Sequence, residues 1–258
     1  MRKTRLAGLD FDRLTEAQVV EHVIGAVQAG RGGWIATSNV DQCYGAAADP
    51  AIRDLLAGAS LVVPDGMPLI WATRLLGDPL PERVTGSSLI FSLTEAAAHV
   101  GCPIYLLGGD PGVPDRAGDE LRRRYPGLLV AGADAPPVGF DRNPDSLRAV
   151  RDRVVIAAPD IVYVGLGFPK QEKVITSLAP HLPGTWFVAC GAAIPFAAGT
   201  LNRAPGWMQR SGLEWAFRLI SEPRRLFRRY LIHDLPFALR LLASSGARRG
   251  RPSSPGDR

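Results

Sequence analysis

The sequence is poor in several features that would place it in a familiar class. No stretch approaches the roughly 18 uninterrupted apolar residues that a membrane-spanning helix needs. The N-terminus, MRKTRLAGLDFDRLT, starts basic but lacks the apolar run of a secretory signal. Cysteine is scarce. Cys43, Cys102 and Cys190 are odd in number, far apart and without metal-ligand spacing. They read as small buried hydrophobes in a reducing compartment, not as a disulfide framework. His22, His99, His181 and His233 are equally scattered, so neither a metal nor another cofactor is called for. The dinucleotide fingerprint is incomplete, because GGDPG lacks the third glycine at the required spacing. A nucleotide-dependent oxidoreductase on an α/β fold therefore stands only as a rival reading.

What is present is an ordinary globular composition with an uneven charge. Of 258 residues, 46% are apolar and 21% charged, enough for one sizeable core with an appendage. Beyond residue 200 lie twelve arginines and four acids, a net +8, against −3 for the rest. Such asymmetry points to a polyanionic partner. No recognition motif accompanies it, so nucleic acid explains the charge less well than an anionic membrane surface does.

The first 200 residues alternate short apolar runs with helical patterns. GGWIATSN, SLVVPDG, CPIYLLGG, LLVAGAD, IVYVGLG and TWFVACGAAI read as strands, with helical material after each of the first five. Runs too continuous to have a wet face predict a mostly parallel, Rossmann-like α/β sheet covered by helices. Residues 201–243 mix Trp, Phe, Leu and Ile with Arg at helical spacing, and Pro223 and Pro236 are predicted to break the pattern. This segment reads as a basic amphipathic helical appendage. Residues 244–258 are Gly, Pro, Ser and Arg with little to bury, and disorder is expected.

In such a sheet, ligands bind beyond the carboxyl ends of the strands. Those ends carry polar or glycine-rich chemistry at TSN (37–39), PDG (64–66), GGDPG (108–112), GLGFPKQE (165–172) and CGAA (190–193). Asp65 has two readings. It could cap the helix that starts near Met67, or act as a general base at the mouth of a cleft. Thr37 and Asn39 could hydrogen-bond a sugar or orient Asp65, although turn and capping chemistry explains them equally simply. Gly108 and Gly109 resemble part of a phosphate-binding turn. After Gly167, Pro169 suits a helix start, Lys170 could meet a phosphate and Gln171 a base or sugar. Glu172 suits the positive end of the helix dipole, where a cation such as Lys170 does not. Asp10 and Asp12 form a D-x-D, but the helical pattern after Asp12 favours capping over metal binding.

Taken in order, TSNVDQ, VVPDGMP, ERVTGSSL, LLGGDPGV, YPGL, VGLGFPKQE, CGAAIPFAAG, RAPGWMQRSGLEWAFRL and EPRRLFRRY carry a family likeness. The chain resembles the WecG/TagA/CpsF bacterial glycosyltransferases over residues 10–232. That resemblance implies inverting, metal-independent transfer of N-acetylmannosamine or a related sugar from a UDP donor. The acceptor would be an amino sugar on undecaprenyl diphosphate, in cell-surface polysaccharide synthesis. It implies that Asp65 is the base, with Thr37 and Asn39 in the same pocket and Arg83 and Gln171 facing the donor. It also implies an appendage that closes over the site at the inner face of the bacterial membrane. Arg218, Arg224, Arg225, Arg228 and Arg229 are then candidates for holding either diphosphate. One departure stands out: Ile194 and Pro195 occupy places where many members carry an aromatic residue and an Asp. The rival readings are a non-catalytic UDP-sugar-binding membrane adaptor, the oxidoreductase and a transferase using another nucleotide. Self-association is open.

Overall fold

The computed structural model describes residues 2–249 except 203, 211, 212 and 222, and leaves aside the side chains of 209, 210, 218, 221, 225, 228–230, 248 and 249. It opens with a hairpin that the sequence reading did not find. β1 (Lys3–Leu6) and β2 (Leu9–Asp12) pair antiparallel. Ala7 and Gly8 join them with φ of 52° and 84°, the left-handed geometry of a two-residue hairpin turn. Asp12 is a strand residue and caps no helix. Its Oδ2 accepts the Val62 N–H at 2.9 Å, while Thr15 forms the capping box of α1 (Glu16–Gln28) with Gln18.

The remaining strands are β3 (Gly33–Ser38), β4 (Leu61–Pro64), β5 (Ile104–Gly108), β6 (Val130–Asp134), β7 (Ile161–Gly165) and β8 (Trp186–Ala189). They form one sheet in the order β4-β3-β8-β7-β5-β6, with every neighbouring pair parallel. Successive side chains point to opposite faces, as the pleat requires. Thus Val162 and Val164 join Leu107 and Phe187 in one apolar layer, while Ile161 and Tyr163 join Leu106 and Val188 in the other. With both faces buried, no strand needs a polar alternation, which is why the strands read as continuous apolar runs.

Helices fill the crossovers. The single helical run expected after β3 is two helices, α2 (Val40–Ala48) and α3 (Pro50–Ala57). Asp49 ends the first and caps the second, accepting the Ala51 N–H at 2.8 Å with Pro50 at the first helical position. Then follow α4 (Met67–Leu76), α5 (Gly86–Val100), α6 (Val113–Arg124), α7 (Pro144–Ala157), α8 (Lys170–Leu178) and the short α9 (Ala193–Ala197). Gly77 and Gly101 close α4 and α5 in the left-handed conformation.

The appendage comprises α10 (Gly206–Arg210), α11 (Glu214–Ser221), α12 (Pro223–Phe227), a π-helical segment (Arg228–Asp234) and α13 (Leu235–Arg249). Pro223 opens α12. Pro236, which has no N–H to give, stands one residue into α13, where the π-helix gives way to α. α13 lies on α4. Leu241 enters the core there, Phe237 and Leu242 pack beside it, and Phe237 also meets the Tyr44 ring edge-on. The expected start of a disordered tail at residue 244 falls inside α13, because Leu241 and the buried Ser245 anchor that helix on the body. Residues 250–258 lie outside the described residues.

Candidate active site

A cavity of about 470 Å³ opens beyond the carboxyl ends of the central strands. Five strand ends feed it: Thr37 and Asn39 at the end of β3, Asp65 and Gly66 after β4, Gly109 and Asp110 after β5, Gly165 to Phe168 at the end of β7, and Cys190 to Ala193 after β8. The crossover from β5 runs outward to β6 and that from β7 runs the opposite way to β8, so the two diverge and leave a crevice between these neighbours.

Asp65 sits where β4 stops. Its N–H donates to the Ser38 carbonyl at 2.8 Å, which extends the β3–β4 pairing by one step and fixes the backbone under the carboxylate. Asp65 is not the N-cap of the next helix. That position of α4 belongs to Gly66, whose φ of 154° suits glycine. Thr37 is buried and its Oγ1 donates to the Ala189 carbonyl at 2.7 Å, tying the ends of β3 and β8 together. Asn39 is the N-cap of α2, exchanging hydrogen bonds with Gln42 at 3.1 and 3.0 Å. Capping therefore accounts for Asn39, yet all three side chains line the cavity.

The other expected site residues divide. Arg83 lines the cavity, and its guanidinium is paired with Glu214 of α11 at 2.8 Å. This contact joins the body to the appendage across the site. Gly109 and Gly167 line the cavity in left-handed backbone conformations. Gly108 does not line it. A side chain there would lie 2.5 Å from the Gly165 carbonyl, so that glycine serves the close approach of β5 and β7. Lys170 is also absent from the lining. Its Nζ stands 3.6 Å from Asp141 on a 3₁₀ turn, because the first turn of α8 points that side chain away from the crevice. Gln171 lines the cavity, while Glu172 is fully buried beneath it. Burial pushes the Glu172 carboxyl above its ordinary value, against hydrogen bonds from Gln171, its own backbone and Gln42 that pull it down.

Arg224 is exposed on α12 and does not reach the cavity. The side chains of Arg218, Arg225, Arg228 and Arg229 lie outside the described residues. Sequence reasoning missed Gln42, Asp110, Glu214 and Asp234, all in the lining. The N-x-x-Q spacing of a capping box could have revealed Gln42. Asp234 is brought in by the π-helix, which has no local sequence mark. Among the described residues the lining holds four carboxylates, Asp65, Asp110, Glu214 and Asp234, and one cation, Arg83. At the atypical Ile194-Pro195 pair, Ile194 is buried under Gly165 and Pro195 joins the apolar wall. The three thiols are buried and free, with burial holding Cys43 and Cys190 at about 12 and Cys102 at about 11, which leaves them protonated.

Known proteins resemble this chain closely enough to define what it is. It is 30% identical over 195 residues to an N-acetylglucosaminyldiphosphoundecaprenol N-acetyl-beta-D-mannosaminyltransferase of Bacillus spizizenii, covering 76% of this chain and 74% of that one. A protein of the same name from Bacillus subtilis is 29% identical, with 81% and 77% covered. Another from Staphylococcus aureus is 29% identical over 228 residues, with 88% and 87% covered. The chain is a glycosyltransferase. It belongs to the glycosyl transferase WecG/TagA/CpsF family, whose model matches residues 4–251.

Proposed function

We propose that this glycosyltransferase moves N-acetylmannosamine, or a closely related sugar, from a UDP donor to an amino sugar carried on undecaprenyl diphosphate. The anomeric centre is inverted, and the product enters a cell-surface polysaccharide. The observation that carries the reading is Asp65, held at the end of β4 in the lining of the strand-end cavity, one residue before the N-cap of α4. The donor lies across the strand ends. Asp65 takes the proton of the acceptor hydroxyl, and that oxygen attacks the anomeric carbon on the face opposite the departing UDP. Negative charge then grows on the diphosphate. Arg83, backbone N–H groups of the glycine turns around Gly109 and Gly167, and arginines of the appendage stabilise it without a metal. Thr37 and Asn39 hold the pocket walls on which the sugar rests.

The acceptor is a membrane lipid, and the appendage has the surface for meeting one. Trp207, Ile220, Phe227, Ile232 and Leu239 are exposed beside the arginines of the same segment. No helix among the described residues is long and apolar enough to cross a membrane. The chain reaches the lipid from the cytoplasmic membrane surface, through contacts of these side chains in the interface. The test is mass spectrometry of the product formed from a short-chain lipid-diphosphate amino sugar with a panel of UDP-sugars in the presence of a chelator. Transfer of one N-acetylhexosamine mass from UDP-N-acetylmannosamine is expected. No product with any UDP-sugar, while another nucleotide sugar gives one, would overturn the reading.

A further inference from the structure

Glu172 has a carboxyl group with no access to the cavity, yet it touches two residues that have it. The side chain is 0% exposed. Its Oε1 accepts from Gln42 Nε2 at 2.8 Å and from Gln171 Nε2 at 2.9 Å, while Oε2 has no hydrogen-bond partner among the described residues. The amide oxygens are engaged elsewhere. Gln42 Oε1 accepts the Asn39 N–H at 3.0 Å, and Gln171 Oε1 accepts the Gly191 N–H at 3.1 Å. A backbone N–H can only donate, so neither amide can be turned over without losing a bond at both ends. Each amide nitrogen carries two hydrogens, of which Glu172 takes one. Among the described residues nothing takes the second, and both glutamines line the cavity.

The result is a pair of amides that presents donors and no acceptor. Such a pair suits a group whose outward atoms are all oxygens, in a cavity where Arg83 is the one cation among the described lining residues. The same carboxyl links the ends of three strands: β3 through Gln42, β7 through Gln171 and β8 through Gly191.

We propose that Glu172 is a positioning residue that locks Gln42 and Gln171 as a two-donor clamp for phosphoryl or carbonyl oxygens of the nucleotide donor, an inference that rests on the functional reading above. Removing the acceptor frees both amides to rotate and to offer oxygen to oxygen. Keeping an acceptor of the same shape preserves the clamp.

The test compares Glu172→Gln with Glu172→Met in the full chain, with UDP binding followed by calorimetry and donor KM and kcat by product formation. The glutamine carbonyl can replace Oε1, so UDP affinity and donor KM are expected to stay within about threefold of wild type. Methionine fills the volume but accepts nothing. There, UDP affinity is expected to fall and donor KM to rise by about tenfold, with kcat changed less. A purely structural role would lower the melting temperature and leave the KM of the folded fraction unmoved. Folded Glu172→Met with wild-type affinity and KM overturns the proposal, as does equal loss in both variants. If Glu172→Met does not fold, Gln171→Met decides, since it removes a clamped donor directly, and unchanged affinity there overturns the proposal. Wild-type protein that binds no UDP overturns the functional reading and this inference with it. Wild-type binding with an unaffected methionine variant overturns this inference alone.

Discussion

Two carboxyl groups of the site differ in burial. Asp65 stands at a strand end in the cavity lining, and Glu172 is sealed below it. The second has a consequence for stability. Burial raises its folded pKa above the ordinary 4.5, with Asp41 adding to the rise and Gln171, the backbone and Gln42 opposing it. The folded state then keeps a proton that the unfolded chain has released, and stability falls as pH increases. The loss begins near 4.5 and is complete once pH passes the raised folded value. Glu172→Gln has no such proton to lose. Its melting temperature relative to wild type is expected to climb between pH 5 and pH 8, a trend that parallel melts across that window would check. At this scale the sequence picked out Thr37, Asn39 and Asp65 at strand ends, and all three line the cavity, whereas Gly108 at the end of β5 does not. It misdirected at Lys170, whose partner Asp141 lies on a turn that no local pattern places nearby.

Elements were legible where apolar residues run together. All six strands of the parallel sheet were visible that way, including the half-buried β6. The β1–β2 hairpin was not, since KTRL and LDFD are four residues each and interrupted by charged residues, and the turn residues Ala7-Gly8 carry a weak signal. The junction of α5 with the β8 loop was equally hidden. Gly86 opens α5 behind the Thr85 cap, and a side chain there would lie 2.7 Å from the Cys190 Cα and 2.9 Å from its carbonyl oxygen. Those are backbone atoms and cannot swing aside. Gly86→Ala is expected to cost about 1–3 kcal/mol of stability, the range for overpacked cores. It should also weaken UDP binding, because Cys190 and Gly191 begin the loop that lines the cavity. Urea denaturation with calorimetry checks both, and an unchanged midpoint would contradict the packing argument.

Over the whole molecule, net charge is segregated. A body of net −3 carries an appendage and tail of net +8. The composition announced this division but not its connection. α13 shares the core through Leu241, and Arg83 reaches Glu214 across the cavity. Deleting everything beyond residue 205 would therefore strip the α4 face as well as the exposed apolar side chains of the appendage. Point changes separate the two. Ile220, Ile232 and Leu239 are 79%, 53% and 59% exposed, so glutamate at each leaves the core intact. Each is expected to weaken sedimentation with anionic vesicles by about tenfold, on the scale of an apolar side chain leaving the interface. Turnover on a water-soluble acceptor analogue should hold. Unaltered vesicle binding in the triple variant would remove the appendage from the membrane contact.

In the proposed mechanism one carboxylate, at the end of β4, accepts the proton of the attacking hydroxyl. Asp65→Asn keeps the size and the backbone while removing the base, and the measurement is its transfer rate beside its UDP affinity. A fall in kcat of about 10²–10⁴, with UDP affinity within a few fold of wild type, is the expected result. Near-normal turnover would contradict it.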